Sequence, residues 1–214
     1  MKKIFAIVSS LFLVSIVTAK AEIGIGISGA VHSFDASGSE TTRSSGQINK
    51  GTHSETTAVP EVFFEILGDN GGALGLSYIP TRDVGSKSRS DANAAGDTGT
   101  YTAKAELDNV VSLYADMPLG SVLGSTMYLK AGLQHVEIVT LESLNSGSAY
   151  PNKSVMGVTA GLGFKGDIPY GNNLYYKGEL TYTDFKSYEA ESQGNKLSAD
   201  LDDTAARLSI GYKF

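Results

Sequence analysis

Strict alternation constrains this chain more than any other feature. Between Glu22 and Phe214, apolar and polar residues trade places in eight segments, separated by clusters of Gly, Asn, Asp and Ser. Successive side chains of a strand point to opposite faces, so this period of two specifies strands with one apolar and one polar face. The segments are Glu22 to Phe34, Ala58 to Gly68, Ala73 to Thr81, Thr100 to Met117, Thr126 to Leu141, Ser154 to Lys165, Leu174 to Tyr188 and Asp203 to Phe214. Most reach the roughly 9–11 residues a tilted strand needs to cross a bilayer. Strands of soluble domains are nearer about 5–6.

The charges fall on one side of this pattern. Faces such as Ile23-Ile25-Ile27-Val31 and Val62-Phe64-Ile66 carry almost none. The opposite faces carry Glu61, Glu65, Lys104, Glu106, Asp108, Asp116, Lys130, Lys165, Lys177, Glu179 and Arg207, acids and bases in near balance. A Lys or Arg facing lipid near the midplane costs about 2–4 kcal/mol. An open sheet edge is worse, because each unpaired backbone group in hydrocarbon costs several kcal/mol. Strands that enter a bilayer must therefore close into a ring with the charges inside. The expectation is an all-β, eight-stranded antiparallel up-and-down transmembrane β-barrel. A ring of eight is just wide enough for side chains to fill, so the interior is expected to hold an ion-pair network instead of a channel. Counted from the short-turn end, Glu61, Lys130, Glu179 and Arg207 share a depth and are its expected centre. Small inward residues, including Gly24, Gly26 and the glycines from Gly157 to Gly163, relieve crowding in a narrow bore.

The connections alternate in length. Asp35 to Thr57, Arg82 to Gly99, Glu142 to Lys153 and Glu189 to Asp202 are long; Asp69 to Gly72, Pro118 to Ser125 and Gly166 to Asn173 are short. Long loops at one end and short turns at the other is an outer-membrane arrangement, with the short set periplasmic. The long loops are rich in Ser, Thr, Gly and charge and are expected to be mobile and solvated. Pro60 breaks the pattern. It cannot donate to a ladder and a closed barrel offers no edge, so a bulge there, or a strand that starts later, is expected.

The N-terminus has a different logic. Lys2 and Lys3 precede an apolar run from Ile4 to Val17, followed by Ala19 and Ala21 in a small-x-small cleavage arrangement. This is the layout of a secretory signal, and the run falls short of the roughly 20 residues of a membrane-spanning helix. Residues 1–21 are expected to be removed and residues 22–214 to form the barrel domain. Losing three lysines takes the formal charge of −6 to −9, from −6 minus 3.

Little points to chemistry. There is no cysteine, which excludes disulfides, thiolate metal sites and a catalytic thiol. An acidic balance without a basic run argues against nucleic acid. The histidines, His32, His53 and His135, form no metal-binding motif. His32 and His135 lie near the long-loop end among many serines, as chance alone would place them. Glu189, Glu191, Asp200, Asp202 and Asp203 make the last loop acidic, without the spacing of an EF-hand. No enzyme, cofactor or metal site is expected. A soluble lipocalin, also eight-stranded, would bury its apolar faces and expose its charges.

The last strand, Ala206-Arg207-Leu208-Ser209-Ile210-Gly211-Tyr212-Lys213-Phe214, resembles the C-termini of the small eight-stranded outer-membrane proteins of Gram-negative bacteria, the OmpA-like barrel, OmpX and opacity-protein group. The resemblance covers residues 22–214 at the level of pattern. It implies that Leu208, Ile210, Tyr212 and Phe214 are a C-terminal assembly signal read by the barrel-assembly machinery. It implies an outer-membrane location, contact with lipid and lipopolysaccharide, and a monomer. It further implies a structural or surface-interaction role through the long loops, a narrow passive pore being the alternative. The chain departs from the group in having no Trp. Its interfacial aromatics are then expected to be Tyr78, Phe164, Tyr176, Tyr212 and Phe214.

Overall fold

A computed structural model describes residues 21–41, 43, 46–92, 98–143, 150–192 and 194–214, the side chains of residues 84, 85, 87–92, 98–103, 142 and 143 excepted. The expected leader lies outside the described residues, apart from Ala21, which begins the first strand. Ten strands are described: β1 (Ala21–Thr41), β2 (Ile48–Gly68), β3 (Ala73–Ile79), β4 (Arg82–Ala92), β5 (Thr98–Val122), β6 (Ser125–Ser143), β7 (Lys153–Asp167), β8 (Leu174–Phe185), β9 (Tyr188–Ser192) and β10 (Asn195–Lys213). All pair antiparallel, and β1 joins β10 to close the sheet. β3 and β4 lie end to end against β5, and β8 and β9 lie end to end against β10. The ten segments therefore make eight staves, as the alternation predicts.

The faces sort as the charge argument requires. Ile25, Ile27, Val62, Leu76, Leu113, Val158, Leu180 and Leu208 stand exposed on the outer wall, while Glu61, Glu65, Asp116, Lys130, Lys177 and Arg207 are buried within the bore. So large an exposed apolar belt is a membrane-facing surface, and a lipocalin would show the reverse. Inward glycines receive aromatic rings from the next strand. Gly75 faces Tyr114 across the ladder, and Gly163 faces Tyr128. A Cβ on either glycine would come within 2.4 Å of the tyrosine ring.

The long connections differ from expectation. β1 and β2 stay in register from Asp35–Ser54 out to Thr41–Ile48, and β4, β5, β9 and β10 also continue through stretches expected to be loop. With 21 residues, β1 is about 70 Å long and at a tilt of roughly 40° climbs about twice the ~25 Å apolar band. Both faces of the projecting part are polar along β1 and β2, which erases the alternation that betrays a strand. At the other end β5 runs to Val122 and turns through Leu123 and Gly124, at φ 50° and 81°. Two positive φ values in a two-residue loop match the twist of a hairpin.

Pro60 causes neither a bulge nor a late start. β2 passes through it unbroken, opposite Gly29 of β1. The consequence appears on its other side. The β2–β3 ladder ends at Val62–Tyr78; continued by two residues, that register would set Pro60 opposite Pro80. Neither proline has an N–H to donate there, and among the described residues no ladder joins β2 to β4.

A second irregularity resets a face. In β5 the pairing with β6 shifts between Asp108 and Val111, and Asn109 sits at φ 50°. One extra residue inverts the alternation beyond it. Leu107, expected outside, is buried at 1% exposure beside Ile138. Lys104, Glu106 and Asp108, expected inside, turn outward.

Above the apolar belt the ring becomes two facing sheets, β9-β10-β1-β2 and β4-β5-β6. Phe34, Val59, Ile79, Leu107, Val110, Val136, Ile138, Val155, Phe185 and Tyr188 form one buried apolar cluster, with Leu197, Ala199 and Leu201 against it. The interior thus has two layers, polar toward the short turns and apolar toward the projecting end.

Candidate functional site

Most of the charge in the bore gathers in the polar layer. Alternation in β2, β5, β6, β7, β8 and β10 aims one or two ionisable side chains each at the axis. Lys177 Nζ donates to Glu65 and lies 3.0 Å from Asp116 Oδ2 and 3.3 Å from Glu179 Oε1. Lys130 Nζ lies 2.9 Å from Glu179 and 3.1 Å from Asp116, and 3.2 Å from the centroid of the Tyr114 ring. Lys165 Nζ reaches Asp116 at 3.9 Å. Tyrosines complete the carboxylates: Tyr114 and Tyr175 donate to Glu65 at 2.8 and 3.1 Å, and Tyr128 donates to Glu179 at 2.7 Å. Pairing and hydrogen bonding offset the cost of removing these charges from water, with Asp116 and Lys165 held by ion pairing alone.

Arg207 and Glu61 form the next tier. Arg207 Nε donates to Glu61 at 2.8 Å, and its Nη1 donates to Thr181 Oγ1 at 2.8 Å. Between Glu61, Lys130, Glu179, Arg207, Gln134 and Thr159 lies a void of about 20 Å³, room for about one water molecule.

The residues expected at the centre therefore divide between two tiers, Lys130 with Glu179 and Arg207 with Glu61. Glu65 and Lys177 belong to the lower tier together with Asp116, which touches all three lysines. Lys104, Glu106 and Asp108 belong to neither tier. On the outer face Lys104 Nζ bridges Asp83 at 2.7 Å and Glu106 at 2.8 Å. Its hydrogen bond holds the exposed Asp83 carboxyl below the usual carboxylate range, and Asp83 in turn raises the Lys104 ammonium. Asp108 accepts from Thr81 across the gap between β3 and β4.

A third tier escaped the sequence reading. His32 Nδ1 lies 2.7 Å from Asp203 Oδ2, at 0% and 1% exposure. The His32 ring stacks on Phe34 at 5.6 Å, and the Arg82 guanidinium lies 4.6 Å from the Phe34 centroid. Extending the inward phase of the last strand to Asp203 would have found the acid. Arg82 had no such signal, because it follows the break at Pro80. With this tier the bore holds five acids (Glu61, Glu65, Asp116, Glu179, Asp203) and five bases (Arg82, Lys130, Lys165, Lys177, Arg207).

The other histidines stand apart: His53 is 3.5 Å from Glu55 on the projecting hairpin, and His135 pairs with Val111. Among the described residues no group of His, Asp and Glu could hold a metal ion. Phe164 and Tyr176 meet edge to face at 6.3 Å on the outer wall, as do Tyr212 and Phe214 at 4.9 Å. Tyr78 is 40% exposed near the end of β3. Leu208 and Ile210 share the outer face of β10 with Tyr212, and Phe214 N donates to Ile23 O at 2.9 Å, tying the C-terminus to β1.

No protein-family profile and no curated protein matches the chain by sequence. Solved structures do match its fold. The outer membrane protein OprG from Pseudomonas aeruginosa superposes with a TM-score of 0.60 at 16% identity, over 91% of this chain and 97% of that one. The outer membrane protease OmpT from Escherichia coli superposes with a TM-score of 0.50 at 10% identity, over 94% and 100%. The fold is that of the bacterial outer-membrane β-barrels.

Proposed function

We propose that the protein is a non-enzymatic, monomeric component of the bacterial outer membrane. Residues 1–21 direct its export and are removed, the barrel anchors it, and the projecting sheets meet ligands at the cell surface. The supporting observation is the filled interior, with a balanced ion-pair cluster below and an apolar layer above. A void of about 20 Å³ in the polar layer holds about one water, far less than a hydrated ion requires. Such an interior suits anchoring and display. The partners follow from the surfaces. Lipid and lipopolysaccharide cover the apolar belt, and the barrel-assembly machinery reads Leu208, Ile210, Tyr212 and Phe214 during insertion. No catalytic role is assigned to His32 and Asp203, which are sealed from solvent.

Single-channel recording of the refolded protein in a planar bilayer tests this reading. Folded, inserted protein that passes no current supports it. Reproducible open steps overturn it in favour of a narrow pore lined by the charge cluster.

A further inference from the structure

Among the buried charges of the described residues, Arg82 stands out as having neither a hydrogen bond nor an ion pair. Its side chain is 6% exposed, yet none of its three guanidinium nitrogens has a hydrogen-bond partner. Asp203 and Glu61 act on it only at Coulombic range, since His32 and Arg207 hold them. His32 Nε2, against the same Phe34 ring, is also without a partner. A buried guanidinium offers five donors in a planar fork that matches an oxyanion, and leaving them unmade is costly.

The position of Arg82 indicates the side from which a ligand comes. It is the first residue of β4, two residues beyond Pro80, where among the described residues β2 and β4 pack without a ladder between them. Among the described residues no backbone hydrogen bond crosses this seam, so parting the two strands there breaks none of the described ones. The outer wall beside the seam, Pro60, Val62, Leu76 and Tyr78, is exposed and apolar. Above Arg82 the interior is the packed apolar cluster.

We propose that Arg82 binds the carboxylate headgroup of an apolar-tailed amphiphile that reaches it from the bilayer through the β2–β4 seam. The headgroup takes the guanidinium fork, and the tail stays against the outer wall beside Pro60 and Tyr78. The site stands independently of whether the barrel conducts.

Carbon-13 NMR of carboxyl-labelled decanoate tests the site, with the folded protein in phosphatidylcholine nanodiscs and empty nanodiscs as reference. A saturable bound carboxyl signal at one per protein is expected, absent from empty discs and lost in Arg82→Gln. Heat-modifiable mobility on gels establishes that the variant is folded. If it does not fold, Arg82→Lys serves, keeping the charge without the fork, with affinity expected to fall about tenfold or more. Labelled acetate is expected to bind at least tenfold more weakly than decanoate. Equal binding of acetate would overturn the amphiphile in favour of a soluble-anion site. Decanoate binding unchanged in either Arg82 variant, or no saturable signal in the wild type, would overturn the site itself.

Discussion

Arg207 and Glu61 allow the energetics of the plug to be measured by removing them singly and together. Arg207→Met leaves the Glu61 carboxylate buried, at 6% residue exposure, without the guanidinium that donates to it at 2.8 Å. Breaking a buried pair from one side costs about 3–5 kcal/mol. Thr181 also loses its donor, at about 1 kcal/mol. The adjoining void of about 20 Å³ admits about one water to the stranded carboxylate, which moves the expected loss to the lower half of that range. The expectation is therefore about 3–4 kcal/mol for Arg207→Met, and a similar loss for Glu61→Met. Substituting apolar groups for both partners removes the uncompensated charge, so the double variant is expected within about 1 kcal/mol of wild type. Equilibrium urea unfolding from phospholipid vesicles, followed by far-ultraviolet circular dichroism because the chain has no Trp, gives all four free energies. A single variant that loses less than about 1 kcal/mol, or a double variant that loses the sum of the singles, would show that Glu61 and Arg207 are independently solvated and that the bore is wet.

Three further outcomes follow from the wall. Gly163→Ala places a Cβ 2.4 Å from the Tyr128 ring, displacing the hydroxyl that holds Glu179. A loss of about 1–3 kcal/mol is expected in the same unfolding assay, and Gly29→Ala, with open space at its Cβ, should lose little. Asn109 occupies the left-handed region at φ 50°, so Asn109→Val should cost about 1–2 kcal/mol while Asn109→Gly stays near wild type, again by urea midpoint. Asp83 has a folded-state pKa held below its unfolded value by Lys104. Its contribution is therefore complete above the ordinary carboxylate value and is lost as pH falls through the lowered one. Carboxyl NMR should show Lys104→Gln returning Asp83 to the ordinary range.

The sequence by itself determined the eight staves, which face of each meets lipid and the polar character of the lower bore. It could do so because a slip of one residue would turn a whole row of Ile, Leu and Val inward and a row of charges into hydrocarbon. Glu61, Glu65, Lys130, Lys177, Glu179 and Arg207 were legible for that reason. Only the tertiary structure decided the rest. The bulge at Asn109 carries no mark in the local pattern, yet its extra residue turns Lys104, Glu106 and Asp108 outward. The projecting parts of β1 and β2 are polar on both faces, so no alternation marks them and they read as loops. The end of the β2–β3 ladder near Pro60 and Pro80, with an unpartnered Arg82 close by, depends on which residues two distant strands bring face to face. That is a property of register between strands, and no single segment of the chain encodes it.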